Sequence, residues 1–166
     1  MQKALLVTVP LGLLLWLYSS KTAVPGLSEL PRGIRNNNPG NLEFNDRVKW
    51  QGQIGSDGRF IIFDTPANGL RALGRTLLTY RSRDGVEGYG SAGVDTITEV
   101  INRYAPSSEN NTGSYINHVS SQLNVSPDTA LEYSDYPNLM AAIIKHENGQ
   151  QPYSMAELNQ GWRAAA

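Results

Sequence analysis

Apolar residues in this chain fall into two rhythms, and the change between them marks its organisation. An unbroken apolar run, ALLVTVPLGLLLWLY at residues 4–18, is followed by a stretch with little periodicity. Short apolar runs come next, at 48–50 and 60–63, separated by the turn-forming SDG at 56–58, a pattern that predicts a β-hairpin. From Thr65-Pro66 onward the spacing becomes helical. Leu70, Leu73, Leu77 and Leu78 mark one face after a cap and a first-turn proline. A second helix is predicted by Thr96 with Glu99, a capping box, followed by Ile97, Val100, Ile101 and Tyr104 and ending near Ala105-Pro106. Tyr115, Ile116, Val119 and Leu123 predict another helix, Ser126-Pro127 starts a short one, and Pro137 opens the most apolar. Ser154 and Glu157 form a second capping box before Leu158 and Trp162. The fold class expected is α+β, mainly α: a helical domain with a small β-hairpin lobe.

The first run also carries Lys3 before it and Ser19, Ser20 and Lys21 after it. Fifteen helical residues span roughly 22 Å, which with local thinning suits a bilayer, and Trp16 and Tyr18 suit its interface. Residues 1–21 are therefore read as an N-terminal transmembrane anchor with its amino end in the cytoplasm. A cleaved signal is the alternative, although no small-x-small site follows Tyr18. Residues 22–31, TAVPGLSELP, read as a linker, and 32–166 as one domain. That domain is then on the periplasmic, wall side of a bacterial inner membrane, or in a virion that holds the anchor in its lipid. Residues 32–41, RGIRNNNPGN, are expected to form a structured loop, because asparagine and glycine tolerate left-handed backbone.

Composition narrows the chemistry. With 166 residues, the chain has length for one core of ordinary size. It has no cysteine and two histidines, which excludes thiolate zinc and a cysteine nucleophile and points to no metal and no cofactor. There is no HExxH and no GxSxG. The glycine-rich stretch 82–93 contains Gly88-x-Gly90-x-x-Gly93, but it follows RSRDGVE rather than a buried strand and is read as accidental. Net charge is -1, yet residues 32–83 carry nine basic and four acidic side chains and residues 84–166 carry three and ten. The helix-turn-helix spacing at 119–132 would present Asp128 and Glu132 to phosphate, so no nucleic-acid partner is expected.

Candidate catalytic residues are carboxylates. Leu139, Ile143 and Glu147 are spaced by four, which puts Glu147 on the buried face at a helix end that Asn148-Gly149 closes. A carboxylate withdrawn from water holds its proton more tightly, which suits a general acid. On periodicity alone, Glu147 could equally reach past the fraying end into solvent or pair with an arginine. Glu109, in the loop PSSENNT, is the second candidate; its alternative is to cap the helix that follows, where Thr112 is the better cap. Asp57 and Asp64 bracket the hairpin and could provide a further carboxylate. His118 reads as a packed or surface residue, and His146 faces away from Glu147.

The segments RGIRNNNPGNL, Trp50-x-Gly52, DGRFIIFDTPANGLRAL, RYAPSSENNTGSYINHV and AIIKHENGQQPYS resemble a group of small phage virion-associated or lysis proteins, over residues 32–162. A wider resemblance is to lysozyme-like murein glycosidases of the flagellar glucosaminidase type, in which a glutamate-bearing helix precedes an asparagine-leucine loop, a hairpin and an aromatic-x-aromatic segment; residues 41–119 resemble the hairpin lobe and subsequent helices of that type, including the tyrosine-alanine pair Tyr104-Ala105. Here no such helix precedes Asn36, and the comparable one, 137–149, comes last. The resemblance implies a circularly permuted lysozyme-like fold with Glu147 as proton donor and Tyr104 lining the cleft. Asn38, Asn41 and Asn111 could hydrogen-bond sugar acetamido groups, although each also has a turn-forming explanation. The substrate implied is the glycan strand of peptidoglycan, cut by a lytic transglycosylase or a muramidase. The alternatives are a murein endopeptidase and a non-catalytic virion membrane protein.

Overall fold

The computed structural model describes residues 29–81, 94–108 and 111–166. The apolar run at 4–18, the Gly88-x-Gly90-x-x-Gly93 match and Glu109 lie outside the described residues. Among those described, no helix is long and apolar enough to cross a membrane. The chain is mainly helical with one small sheet: α1 (Arg32–Arg35), β1 (Gln53–Ser56), β2 (Ile61–Phe63), α2 (Pro66–Arg81), α3 (Ile97–Tyr104), α4 (Thr112–Leu123), α5 (Tyr136–Asn148) and α6 (Met155–Ala165).

The helical body forms because each helix buries one apolar stripe. Leu70, Leu73 and Leu77 of α2, Ile97, Val100 and Ile101 of α3, Tyr115 and Val119 of α4 and Leu139, Met140, Ile143 and Ile144 of α5 make one core, sealed by Leu158 of α6. Burying each of these side chains contributes about 1.5–3 kcal/mol before chain entropy is subtracted. Both expected capping boxes are present. Thr96 accepts from the Glu99 amide, and Ser154 accepts from that of Glu157.

A second, smaller core of Leu42, Ile61, Phe63 and Ala72 lies under the hairpin lobe, and Tyr104 packs against both cores. The strands pair antiparallel, Gln53 opposite Phe63 and Ser56 opposite Ile61. The first strand therefore begins after the apolar run at 48–50, not on it. Gly52 takes φ +74°, and the Gln53 amide returns to the Trp50 carbonyl, so Val48, Lys49 and Trp50 lead into a turn and only the residues beyond it are extended.

Three further expectations differ from the structure. Residues 32–41 are not wholly loop. Pro31 stands at the position before α1, where its missing N–H is no loss, and the amides of Arg35 and Asn36 close one helical turn on Pro31 and Arg32. Asn37 and Asn41 then take left-handed backbone, φ 52° and 49°. Second, Ser126-Pro127 starts no helix. The Thr129 amide closes a turn on Ser126, and the Thr98 amide binds the Pro127 carbonyl, so the segment is held as a loop beside the start of α3. A helix-turn-helix at 119–132 thus lacks its second helix. Third, Asn111 caps α4, accepting from the Ser114 amide at 3.2 Å, while the Thr112 hydroxyl donates to the Ala105 carbonyl at 2.7 Å.

The lobe is tied to α1 by a bidentate ion pair. Arg32 Nε and Nη2 donate to Asp57 Oδ2 and Oδ1 at 2.6 and 2.7 Å, and Asn36 Nδ2 donates to Oδ2 at 2.5 Å. Arg32 beside it holds the Asp57 carboxyl well below the usual carboxylate range. A depressed folded-state pKa gives stability that is present above the unfolded value, roughly pH 4, and is lost as the pH falls through the folded one. Asp57→Asn is therefore expected to lower stability at pH 7 and to flatten its decline below pH 4. Urea midpoints from pH 2 to pH 7 check this, and parallel curves for the two proteins would refute it.

Candidate active site

Glu147 sits in the last turn of α5, which ends because Gly149 takes left-handed backbone at φ 68°. Ile143 and Leu139, one and two turns back, are fully buried, and the same stripe carries Glu147 to the core boundary, where it is half-buried. Of the open readings for this side chain, the structure chooses neither bulk solvent nor an arginine. Glu147 Oε2 accepts from Asn41 Nδ2, and Oε1 accepts from the Tyr115 hydroxyl, both at 3.0 Å. With both oxygens accepting, the arrangement fits an ionised carboxylate whose orientation is fixed.

The asparagine loop reaches this helix end by a set of ties. Asn148 Nδ2 donates to the Pro39 carbonyl at 2.8 Å and to Ile144 at 3.0 Å, and the Tyr104 hydroxyl donates to the Gly40 carbonyl. Burial, and next the nearby Glu147 charge, push the Tyr104 and Tyr115 hydroxyls well above the usual tyrosine range, so both remain proton donors. The Tyr115 ring stacks on His146 at 3.6 Å between centroids, and His118 meets His146 edge-on. Burial and His118 lower the His146 pKa.

Between the helical body and the lobe is a cleft of about 440 Å³. Glu147, Asn41 and Tyr104 line it together with Tyr80 and Pro106, and the facing wall is Glu43, Arg59 and Phe60 of the lobe. Arg59 pairs with Glu43 at 2.8 Å and lies over the Phe60 ring, 4.9 Å from its centroid.

Of the residues the sequence singles out, Glu147, Tyr104 and Asn41 therefore meet in one place, with Asn41 bonded to the carboxylate itself. Asn38 does not join them. It is wholly buried, donates to the carbonyls of Leu42 and Ile61 and accepts the Leu42 amide, all at 2.9 Å, so its amide is fully committed to bracing the lobe and cannot meet a sugar. Asn111 is engaged as the α4 cap and is absent from the cleft lining. Asp57 is held by Arg32, and Asp64 accepts from Asn68 at 2.8 Å, a bond that lowers its pKa; neither lines the cleft. Tyr115 and Glu43 are among the residues of the site that escape sequence reasoning. Tyr115 reads as a core residue by its spacing, which it is, and only its hydroxyl reaches the carboxylate. Glu43 has no local signal beyond its position after Asn41-Leu42.

One carboxylate with fixed orientation, beside an open cleft walled by tyrosines, can move a proton to or from a bound chain. Among the described residues, no three histidine, aspartate or glutamate side chains converge as metal ligands.

No protein-family model matches the chain. It is similar to protein P5 of Pseudoalteromonas phage PM2, 35% identical over 140 residues that cover 82% of this chain and 82% of that protein.

Proposed function

Because the chain belongs to the family of protein P5 of a bacteriophage, and an oriented carboxylate, Glu147, opens onto a cleft, we propose that it is a phage enzyme cutting the glycan strand of bacterial murein. The observation that carries this reading is the placement of Glu147: at a helix end, gripped by Asn41 and Tyr115, and lining the cleft that faces the lobe. The domain is read as a circularly permuted lysozyme-like fold, whose glutamate helix follows the hairpin lobe in the chain, with only α6 after it, yet packs against the asparagine loop. Residues 4–18 are its membrane anchor, in the host inner membrane or in virion lipid.

Glu147, once protonated, gives its proton to the glycosidic oxygen as the C1–O bond breaks. The leaving sugar departs as an alcohol, and the carboxylate that remains takes a proton from the incoming nucleophile. A hydrolase would use water there and would need a second carboxylate about 5–9.5 Å away; a transglycosylase uses the sugar's own hydroxyl and manages with one. Glu43 across the cleft is the carboxylate available for the first route, but its pairing with Arg59 favours the second. Tyr104 would orient a sugar ring at the wall.

Digestion of purified sacculi followed by mass analysis tests the proposal. Anhydro-muramyl ends indicate transglycosylation and reducing ends hydrolysis. Free amino groups with intact sugars would replace this reading with an endopeptidase, and intact sacculi would replace it with a structural virion protein. Tyr115→Phe removes the hydrogen bond to Oε1 and is expected to lower kcat roughly tenfold, the rate equivalent of one such bond at about 1.4 kcal/mol, with KM nearly unchanged. An unaltered kcat would show that Tyr115 does not hold the acid.

A further inference from the structure

Two buried amide oxygens beside the cleft, Asn41 Oδ1 and Asn148 Oδ1, have no hydrogen-bond partner. Both crowd the same point. A Cβ on Gly33 would lie 2.5 Å from Asn148 Oδ1 and 2.6 Å from Asn41 Oδ1, so a glycine at 33 is what lets the two amides close in. Paired acceptors without a donor are rare in a protein interior and call for a cause.

The two amides differ in freedom. Asn148 is fixed, since its Nδ2 donates to two backbone carbonyls. Asn41 Nδ2 instead donates to Glu147 Oε2. A half-turn of the Asn41 amide would exchange its two ends, presenting Nδ2 to Asn148 Oδ1 and Oδ1 to Glu147. Against a carboxylate this sets two acceptors face to face. Against a carboxylic acid it makes a hydrogen bond and provides both orphaned oxygens with donors.

We propose that the Asn41 amide turns with the proton state of Glu147 and, with Asn148, forms a relay that places the acid's proton on Oε2. In the ionised state Asn41 donates to Glu147, as observed. When Glu147 gains a proton, its O–H donates to Asn41 Oδ1 and Asn41 Nδ2 donates to Asn148 Oδ1; no covalent bond other than that O–H forms or breaks. Tyr115 donates to Oε1 in both states, which leaves Oε2 to carry the proton. The other charged or titratable groups facing the cleft are Tyr104 from α3, Tyr80 from α2 and Glu43 with Arg59 from the lobe, and His146 lies behind Tyr115. Gly33 and Asn148 are on this view positioning residues, acting on Glu147 through Asn41. The role assigned to the acid form rests on the proposed function; the turning of the amide does not.

Nuclear Overhauser contacts on the labelled full-length protein in detergent test it. In the observed orientation the Asn41 amide protons face Glu147; after the turn they face the Gly33 Hα. That contact is expected to strengthen as the pH is lowered through the Glu147 titration, followed by its carboxyl carbon. In Glu147→Gln, whose amide mimics the acid's donor, it is expected to be strong at every pH. A contact that stays weak both in protonated wild type and in Glu147→Gln overturns the relay. Murein cleavage by wild type with a static amide overturns the relay alone, whereas a turning amide in a protein that leaves sacculi intact removes the enzymatic reading and keeps the relay.

Discussion

Glu147→Gln is expected to reduce murein cleavage by a factor of about 10²–10⁴ while leaving the fold intact, the range that a positioned general acid contributes. Glutamine fills the same volume and can still bond to Asn41 and Tyr115, so the interactions at the end of α5 persist; what is lost is the transferable proton. The comparison that matters is therefore between activity and stability in one protein. Glycan cleavage measured on sacculi should fall with kcat and not with KM, because the substrate loses no contact it makes in the ground state. The urea midpoint should move by less than the equivalent of about 1 kcal/mol. Retained cleavage would exclude Glu147 as the proton donor, and lost cleavage accompanied by unfolding would show that the glutamate serves structure first.

Why the site could be read in part from sequence follows from which contacts are local. The capping boxes at Thr96/Glu99 and Ser154/Glu157 close within four residues, and the α5 stripe repeats every turn, so each is written in neighbouring letters. The same stripe carried Glu147 to the core boundary. The bond that orients it does not work that way: Asn41 and Glu147 are 106 residues apart, and nothing near either position records the other. Asn38 and Asn41 show the limit sharply. Both read as polar groups free for sugar, yet Asn38 is locked inside the lobe and Asn41 reaches across to α5, a difference set by the left-handed turn at Asn41 and by the α5 end it meets. The hairpin misleads for a related reason. Apolar residues at 48–50 look like a strand, but a turn at Gly52 precedes the real one, and Trp50 packs against the small core from that turn.

That small core is also where the largest loss of stability is expected. Phe63 is fully buried against Leu42, Ile61 and Ala72, and its backbone is used as well: its amide donates to the Asn36 carbonyl, and its carbonyl accepts from Asn37 Nδ2, both at 3.0 Å. Phe63→Ala leaves a cavity that so few neighbours cannot fill, at a cost of about 3–5 kcal/mol. Phe60, three residues earlier and lying under Arg32 and Arg59, opens no such cavity, and its alanine variant is expected to cost under about 1 kcal/mol. The consequence for the site runs through the loop. Asn36 and Asn37 lead directly to Asn41, so a lobe that slackens at Phe63 withdraws the amide from Glu147, and any activity that survives in the folded fraction should also fall. Chemical denaturation of the two alanine variants, with the m-value held in view, measures the first effect. Activity per folded molecule measures the second. Equal destabilisation at positions 60 and 63 would mean that the lobe is held by its salt bridges, with the small core contributing little.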